Sequence, residues 1–257
     1  MAVDVDAAVA ILHTQGPAES VLLIRRAERD GDPWSGQWSF PGGRRSPADA
    51  DALSTALREL EEECGIRLPR EQMEAALPLA TARRRTGRYL VVAPFLFQVE
   101  RELPTVLQTS EAVSAVWLPL KVVLDPTRHR LRPVPGLPPW MYFPAIDLDG
   151  APLWGFTYRL ISEWLGLGPK QTPPERAGFE TAEQVLEFLL SAGLKLLKGW
   201  ENRVAEVSGR IPVEAVVERF TSPGCHFESV NCLEVRPESI RLTGPAFEQY
   251  EIRERSF

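Results

Sequence analysis

Glutamates at 59, 62 and 63 carry the clearest chemical signal in the chain. On a helix that advances ~100° per residue they fall within roughly 100° of arc, because residues three and four apart are neighbours. Like charges placed this way repel by a few tenths of a kcal/mol per pair. They also stand in the last turns before Gly65, where the helix dipole disfavours negative charge. A helix built for stability alone would avoid the arrangement. A hard divalent cation resolves it, and a few carboxylates completed by substrate phosphates suit Mg2+ or Mn2+. The bland alternative is a solvated acidic face. Against it stand Arg58, four residues before Glu62, and the Gly42-Gly43 loop in front.

The element that must position these groups runs from Gly42 to Ile66, a glycine-turned loop leading into one amphipathic helix. Leu53, Leu57, Leu60 and Cys64 share another stripe of that helix and are expected to face a core. Cys64 reads most simply as a small core residue. Glu61 points away from the acidic face and is expected at the surface.

Arg58-Glu59-Leu60-Glu61-Glu62-Glu63-Cys64-Gly65-Ile66 resembles the second half of the Nudix box, R-E-U-x-E-E-x-G-U with U aliphatic, and meets its fixed positions. The first half departs from the G-x5-E-x7-R pattern. Gly43 to Arg58 is one residue too long, and Ala50 stands where the pattern, counted back from Arg58, has Glu. That expansion, with Phe40-Pro41-Gly42-Gly43 in front and Asp49 inside, resembles the coenzyme A pyrophosphatase branch of the Nudix hydrolases. Pro94-Phe95 and Leu153-Trp154-Gly155 resemble the same branch, and the likeness covers about residues 5–167.

The resemblance implies an α/β fold, a Nudix-type α/β/α sandwich with a mixed sheet. It implies a divalent ion held by Glu59, Glu62, Glu63 and the Gly42 carbonyl. The implied reaction is hydrolysis of the pyrophosphate bond in a nucleoside diphosphate linked to another moiety. The first substrate is coenzyme A or an acyl derivative, cut to 3′,5′-ADP and a 4′-phosphopantetheine. One departure opens other substrates. The branch carries a Leu-Arg-x-x-x-Gly-type segment before Phe-Pro-Gly-Gly, and here Gly31-Asp32-Pro33-Trp34-Ser35-Gly36-Gln37 replaces it. ADP-ribose, a dinucleotide or another capped diphosphate then competes.

Within the box Glu63 is the candidate general base, and Arg58 is expected to orient a glutamate. Outside it Glu111 resembles the loop glutamate that precedes a late strand in many Nudix enzymes; the alternative is a solvated loop acid. Arg25, Arg26 and Arg29 stand on or after a strand that leads to the glycine loop and are candidates for a substrate phosphate. Phe40 joins Trp34 and Trp38 in an aromatic-rich loop that could wall a ligand. Arg83, Arg84, Arg85 and Arg88 bracket a hairpin turn, and alternation lets at most two of them meet a phosphate.

At 257 residues, with 44% hydrophobic and 25% charged residues, the chain can bury an ordinary core. A net charge of −6 argues against a general nucleic-acid or membrane-surface binder. Three cysteines make no disulfide framework, and Cys225, His226 and Cys232 match no zinc spacing. No signal peptide or membrane-length apolar run is evident, so a reducing cytoplasm is expected. Strands are expected at 5–13, 20–26, 77–85, 88–99 and 113–120. Residues 125–143 are expected to be Pro-rich and irregular, and 152–167 to form a closing helix. The Nudix domain is placed at 1–168 and a linker at 169–178. A small α+β C-terminal extension at 179–257 is read as a helix at 181–197, a short helix at 212–220 and strands within 230–243. The expected partner is a small nucleotide diphosphate, with a homodimer a further expectation. The reading from another class is a nucleotide sensor on a catalytically silent Nudix scaffold, with the C-terminal unit as its output.

Overall fold

The computed structural model describes residues 4–16, 18–29, 34–83, 89–134, 136–167, 182–221, 232–243 and 249–255. Contacts divide the chain into two compact units. One is Met1–Leu124 with Leu148–Leu165; the other is Asp125–Asp147 with Gly166–Phe257.

The first unit is built on two apolar strands, β1 (Ala7–Thr14) and β2 (Ser20–Arg26). β3 (Trp38–Ser39) pairs with β2 and β4 (Gly42–Arg44) with β1. Helix α1 (Ala52–Cys64) follows, then β5 (Met73–Ala76), β6 (Ala80–Arg83) and β7 (Tyr89–Val99). β7 lies parallel to β1, in register from Ala7↔Val92 to Thr14↔Val99, while β5 and β6 pair antiparallel with β7. β8 (Ala112–Pro119) pairs antiparallel with β2 and runs into the short α2 (Leu120–Leu124). The sheet is therefore mixed, with eight strands among the described residues.

Alternation along β1 serves two helices. Ala8, Ala10 and Leu12, with Leu22 and Ile24 of β2, pack against Leu53, Ala56, Leu60 and Cys64 of α1. Ala7 and Val9 turn the other way and pack with Val92 and Phe156. The first unit is thus an α/β/α sandwich. Full burial of Leu60 stabilises α1 against the sheet by about 1.5–3 kcal/mol.

The second unit contains the hairpin β9 (His129–Pro133) and β10 (Met141–Ile146). The chain then contributes β11 (Leu153–Trp154) and α3 (Gly155–Trp164) to the first unit, α3 carrying Phe156. It continues as α4 (Ala182–Ser191), β12 (Lys195–Glu201), β13 (Val204–Ser208), α5 (Val213–Thr221), β14 (Cys232–Arg236), β15 (Ser239–Thr243) and β16 (Tyr250–Glu254). From β9 the strands follow in the order β10, β14, β15, β16, β13 and β12, with β13 and β16 parallel. Val185, Leu186 and Leu189 of α4 and Val216 and Phe220 of α5 share one core with Leu131, Val207, Leu233, Ile240 and Ile252 of the strands.

Two sequence expectations differ from this arrangement. Residues 125–143, read as irregular, carry β9 and much of β10, and they belong with the C-terminal residues rather than inside a 1–168 domain. Prolines inside short strands hid the period-two signal. The helix expected at 181–197 stops at Ser191, because Gly193 takes φ +98° and Lys195 begins β12. The expected linker at 169–178, Cys225 and His226 lie outside the described residues. Among the described residues no helix is long and apolar enough to cross a membrane.

Candidate active site

Helix α1 is held at both ends. Asp51 caps its start, accepting the Ser54 N–H at 2.8 Å, and Arg70 Nη2 closes over the same carboxylate at 2.6 Å. Gly65 ends it at φ 69°, its N–H reaching the Glu61 carbonyl at 2.9 Å, a left-handed turn that favours glycine. Between these caps the polar face of α1 meets the loop after β4.

Arg58 ties the two together. Its Nε and Nη2 donate to Asp49 Oδ1 and Oδ2 at 3.0 and 3.1 Å, a two-pronged pair. Nη1 donates to Glu59 Oε1 at 2.9 Å and to Glu62 Oε2 at 2.8 Å, and Nη2 also reaches the Arg44 carbonyl at 3.1 Å. Asp49 accepts as well from the Ser46 N–H and the Thr55 hydroxyl. The Arg58 hydrogen bonds hold the Asp49 carboxyl well below the usual range, while Asp49 pushes the guanidinium up. Ala50 stands where the box spacing, counted back from Arg58, asks for an acid, and Asp49 beside it does the clamping.

Glu63 is only 3% exposed. Its Oε2 accepts the Gly42 N–H at 2.8 Å, and its Oε1 lies 3.9 Å from Arg26 Nη1. Burial pushes its carboxyl up to about 7; the Gly42 N–H and Arg26 pull it back, while Glu59 and Glu111 push it further. Burial likewise raises Glu59, with Glu62 and Glu111 adding to the rise against Arg58. Glu62 is 48% exposed on the Arg58 side. Glu61 is exposed and paired with Arg67 at 2.6 Å.

The two glycines of the loop meet different neighbours, and only Gly42 meets backbone. A Cβ on Gly42 would strike the Ala8 carbonyl oxygen and lie 2.7 Å from Val9 Cα, in the sheet backbone. A Cβ on Gly43 would lie 2.7 Å from Glu59 Oε2, in the space that carboxylate uses.

The remaining candidates scatter. Glu111 lies at the start of β8, and its charge is felt at both Glu59 and Glu63. Arg29 donates from Nε and Nη2 to the Ser110 carbonyl, with Nη2 4.0 Å from Glu111 Oε1. Alternation along β2 separates Arg25 from Arg26. Arg26 follows Leu22 and Ile24 to the α1 face and meets Glu63, whereas Arg25 donates to the Gly36 carbonyl and lies against Gly150. Arg25 is therefore not brought to the carboxylates. Phe40 is 2% exposed and Trp38 is buried with its Nε1 on the Ala151 carbonyl, so both pack rather than line an open ligand wall. Arg83 closes β6 opposite Tyr89, its side chain outside the described residues together with Arg84, Arg85 and Arg88.

Glu59, Glu63 and Glu111 are oxygen donors within electrostatic reach of one another, the chemistry that a hard divalent cation relieves. Gly43 leaves Glu59 the room to serve. Arg58 Nη1 holds Glu62 as it holds Glu59, and among the described residues no three acidic, His or Cys side chains stand in a ready-made coordinating group.

The NUDIX domain family model matches residues 4–137. An uncharacterized protein of Schizosaccharomyces pombe is 40% identical over 110 residues, covering 41% of this chain and 33% of that one. An uncharacterized Nudix hydrolase, NudL, of Yersinia pestis is 33% identical over 123 residues, covering 48% of this chain and 59% of that one. The chain thus spans a third to three fifths of the length of these curated relatives. The solved NUDIX domain of Shewanella oneidensis NrtR, complexed with ADP ribose, is 20% identical with a TM-score of 0.45, covering 65% of this chain and 90% of that one. A Caenorhabditis elegans Ap4A hydrolase is 21% identical with a TM-score of 0.37, covering 46% and 82%.

Proposed function

The chain belongs to the NUDIX domain family, and from that premise we propose that it hydrolyses the pyrophosphate bond of a nucleoside diphosphate linked to a second group. The observation that carries this reading is the meeting of α1 with the Gly42-Gly43 loop, where Gly42 N–H holds Glu63, Arg58 holds Glu59 and Gly43 lies against the Glu59 carboxylate.

Members of the family generally use divalent metals, and Glu59 and Glu63 are the residues that would hold Mg2+ or Mn2+. When bound, such an ion neutralises phosphate oxygens and acidifies water. Arg58 holds Glu59 in place through the Asp49 clamp. Gly42 donates its N–H to Glu63 and so fixes that buried carboxylate. Glu63, shielded from solvent, is poorly placed to take a proton from water. Glu111, 34% exposed on a loop, is the better acceptor, and we assign it the general-base role. Arg26 supplies positive charge beside Glu63, where a diphosphate would dock.

Coenzyme A or an acyl-CoA is the first substrate to test, on the strength of Phe40-Pro41-Gly42-Gly43 and the lengthened first half-box. The altered 31–37 segment makes ADP-ribose and dinucleotides the next. Incubation with Mg2+ and this panel, followed by chromatography, should give a nucleoside phosphate from at least one compound. Glu111→Gln should lower kcat by about 10²–10⁴-fold with KM little changed; wild-type turnover by that variant would remove Glu111 from the chemistry.

One observation favours a second reading. Arg58 Nη1 already neutralises Glu59 and Glu62, which a nucleotide sensor could keep without turnover. Absence of hydrolysis across the panel, with one compound raising Tm, would favour the sensor.

A further inference from the structure

Residues 102–111 form a strap that crosses the C-terminal end of α1 and delivers Glu111. Glu102 accepts from the Ser20 hydroxyl at 2.9 Å, and the Leu103 carbonyl accepts from Trp117 Nε1 at 3.1 Å. Leu103 and Leu107 pack onto the α1 core, and the Val106 N–H reaches the Cys64 carbonyl at 2.8 Å. The strap thus hangs on the helix one residue beyond Glu63. At its far end the Glu111 and Ala112 N–H groups both turn back to the Gln108 carbonyl, and the Ala27 N–H reaches the Glu111 carbonyl at 2.8 Å. The strand that follows is bulged. Arg25 faces Ser114 but Arg26 faces Ala112, leaving Val113 as the extra residue beside the site. Bulges beside functional sites re-aim the side chains next to them.

Arg29 is the side chain that fastens this far end. Two of its nitrogens converge on the Ser110 carbonyl, and its Nη2 is 4.0 Å from the Glu111 carboxylate. Its own N–H is held by Ser35 Oγ at 2.8 Å, which ties the segment after β2 to the turn before β3. Two of the five guanidinium N–H donors are engaged on the carbonyl of the peptide bond that carries Glu111, although the side chain as a whole is 48% exposed. We propose that Arg29 is a positioning residue, fixing the end of the 102–111 strap so that Glu111 is held on the side of the site where its charge reaches Glu59 and Glu63. The inference rests on the reading of Glu111 given above.

The test uses the full chain with Mg2+ and coenzyme A or ADP-ribose, comparing Arg29→Ala and Arg29→Lys with wild type in steady-state kinetics. Amide hydrogen exchange at Ala27 and over 106–112 is followed in parallel. A misplacement of about 1 Å can cost ~10²-fold, so Arg29→Ala should lower kcat by about 10–100-fold with KM within about twofold. The Ala27, Glu111 and Ala112 amides should exchange faster. Arg29→Lys keeps one donor and should recover part of kcat. A raised KM with unchanged kcat would overturn the proposal in favour of a phosphate contact, as would unaltered exchange in Arg29→Ala. Should wild type turn over neither these compounds nor the rest of the panel, the hydrolase reading fails by itself, and exchange alone still decides whether Arg29 fastens the strap.

Discussion

Glu63 shows what burial does to a carboxyl. A carboxyl raised to about 7 holds its proton more tightly folded than unfolded. Its effect therefore favours the folded state most at acidic pH and is lost as pH rises toward and through 7, by roughly 3 kcal/mol in all. Asp49 has the opposite sign: held low by Arg58, its contribution is present at neutral pH and lost only in acid well below pH 4. Between pH 5 and 8 the Glu63 effect is then expected to vary, with Glu59, raised by burial in the same direction, adding to it. The metal-free protein should lose Tm across that window, and Glu63→Gln should flatten the loss. Added Mg2+ should raise Tm more at pH 8 than at pH 5; a Tm profile unchanged by Glu63→Gln would contradict the assignment. The acids 59, 62 and 63 were legible because i, i+3 and i+4 spacing on one helix is local information. That the same guanidinium also clamps Asp49 was not, since Asp49, Glu59 and Glu62 share it only once the loop is folded. Which of Arg25 and Arg26 reaches Glu63 depends on which face of β2 meets α1, and a strand buried on both faces does not reveal that.

Among the elements, the β4–α1 loop makes a prediction that separates fold from chemistry. Gly42 lies against the backbone of β1, so Gly42→Ala must disturb the β1–β4 pairing and lower Tm by several degrees. Gly43 lies against the tip of Glu59, a flexible end that can move aside. Gly43→Ala should keep Tm near wild type but weaken Mg2+ uptake, measured calorimetrically, by about tenfold or more. Equal effects of the two variants on Tm would contradict the distinction. Strands β1, β2, β7 and β8 and helices α1 and α3 were readable from runs of apolar residues and helical period. The second unit was harder. Gly193 divides what the period alone presents as one helix, and Pro133 and Pro144 sit inside paired strands where propensity argues against them.

At the level of the whole molecule, the boundary drawn after residue 168 cuts through a sheet. Leu131 and Tyr142 belong to the core of the second unit, and Met141 and Tyr142 pair with Glu234 and Leu233. A fragment ending at 168 should therefore carry a hairpin with an unpaired edge and an unburied apolar face. It should aggregate on light scattering at concentrations where the full chain stays dispersed. A monodisperse, stable fragment would show the hairpin to be dispensable. The composition shift at 166–178 suggested a linker, yet sequence distance says nothing of an excursion that leaves one unit at 125 and returns at 148. Only long-range pairing, invisible to local pattern, reveals it.

That excursion sets a waiting time on the ribosome. The hairpin is finished at Ile146, but its partner strand begins at Cys232, 86 residues later by subtraction. At roughly 5–20 residues per second, synthesis leaves β10 without that neighbour for roughly 4–17 s. During that interval a nascent chain halted near residue 200 would offer Leu131 and Tyr142 to a holding chaperone, and release of the chaperone would follow the emergence of β14.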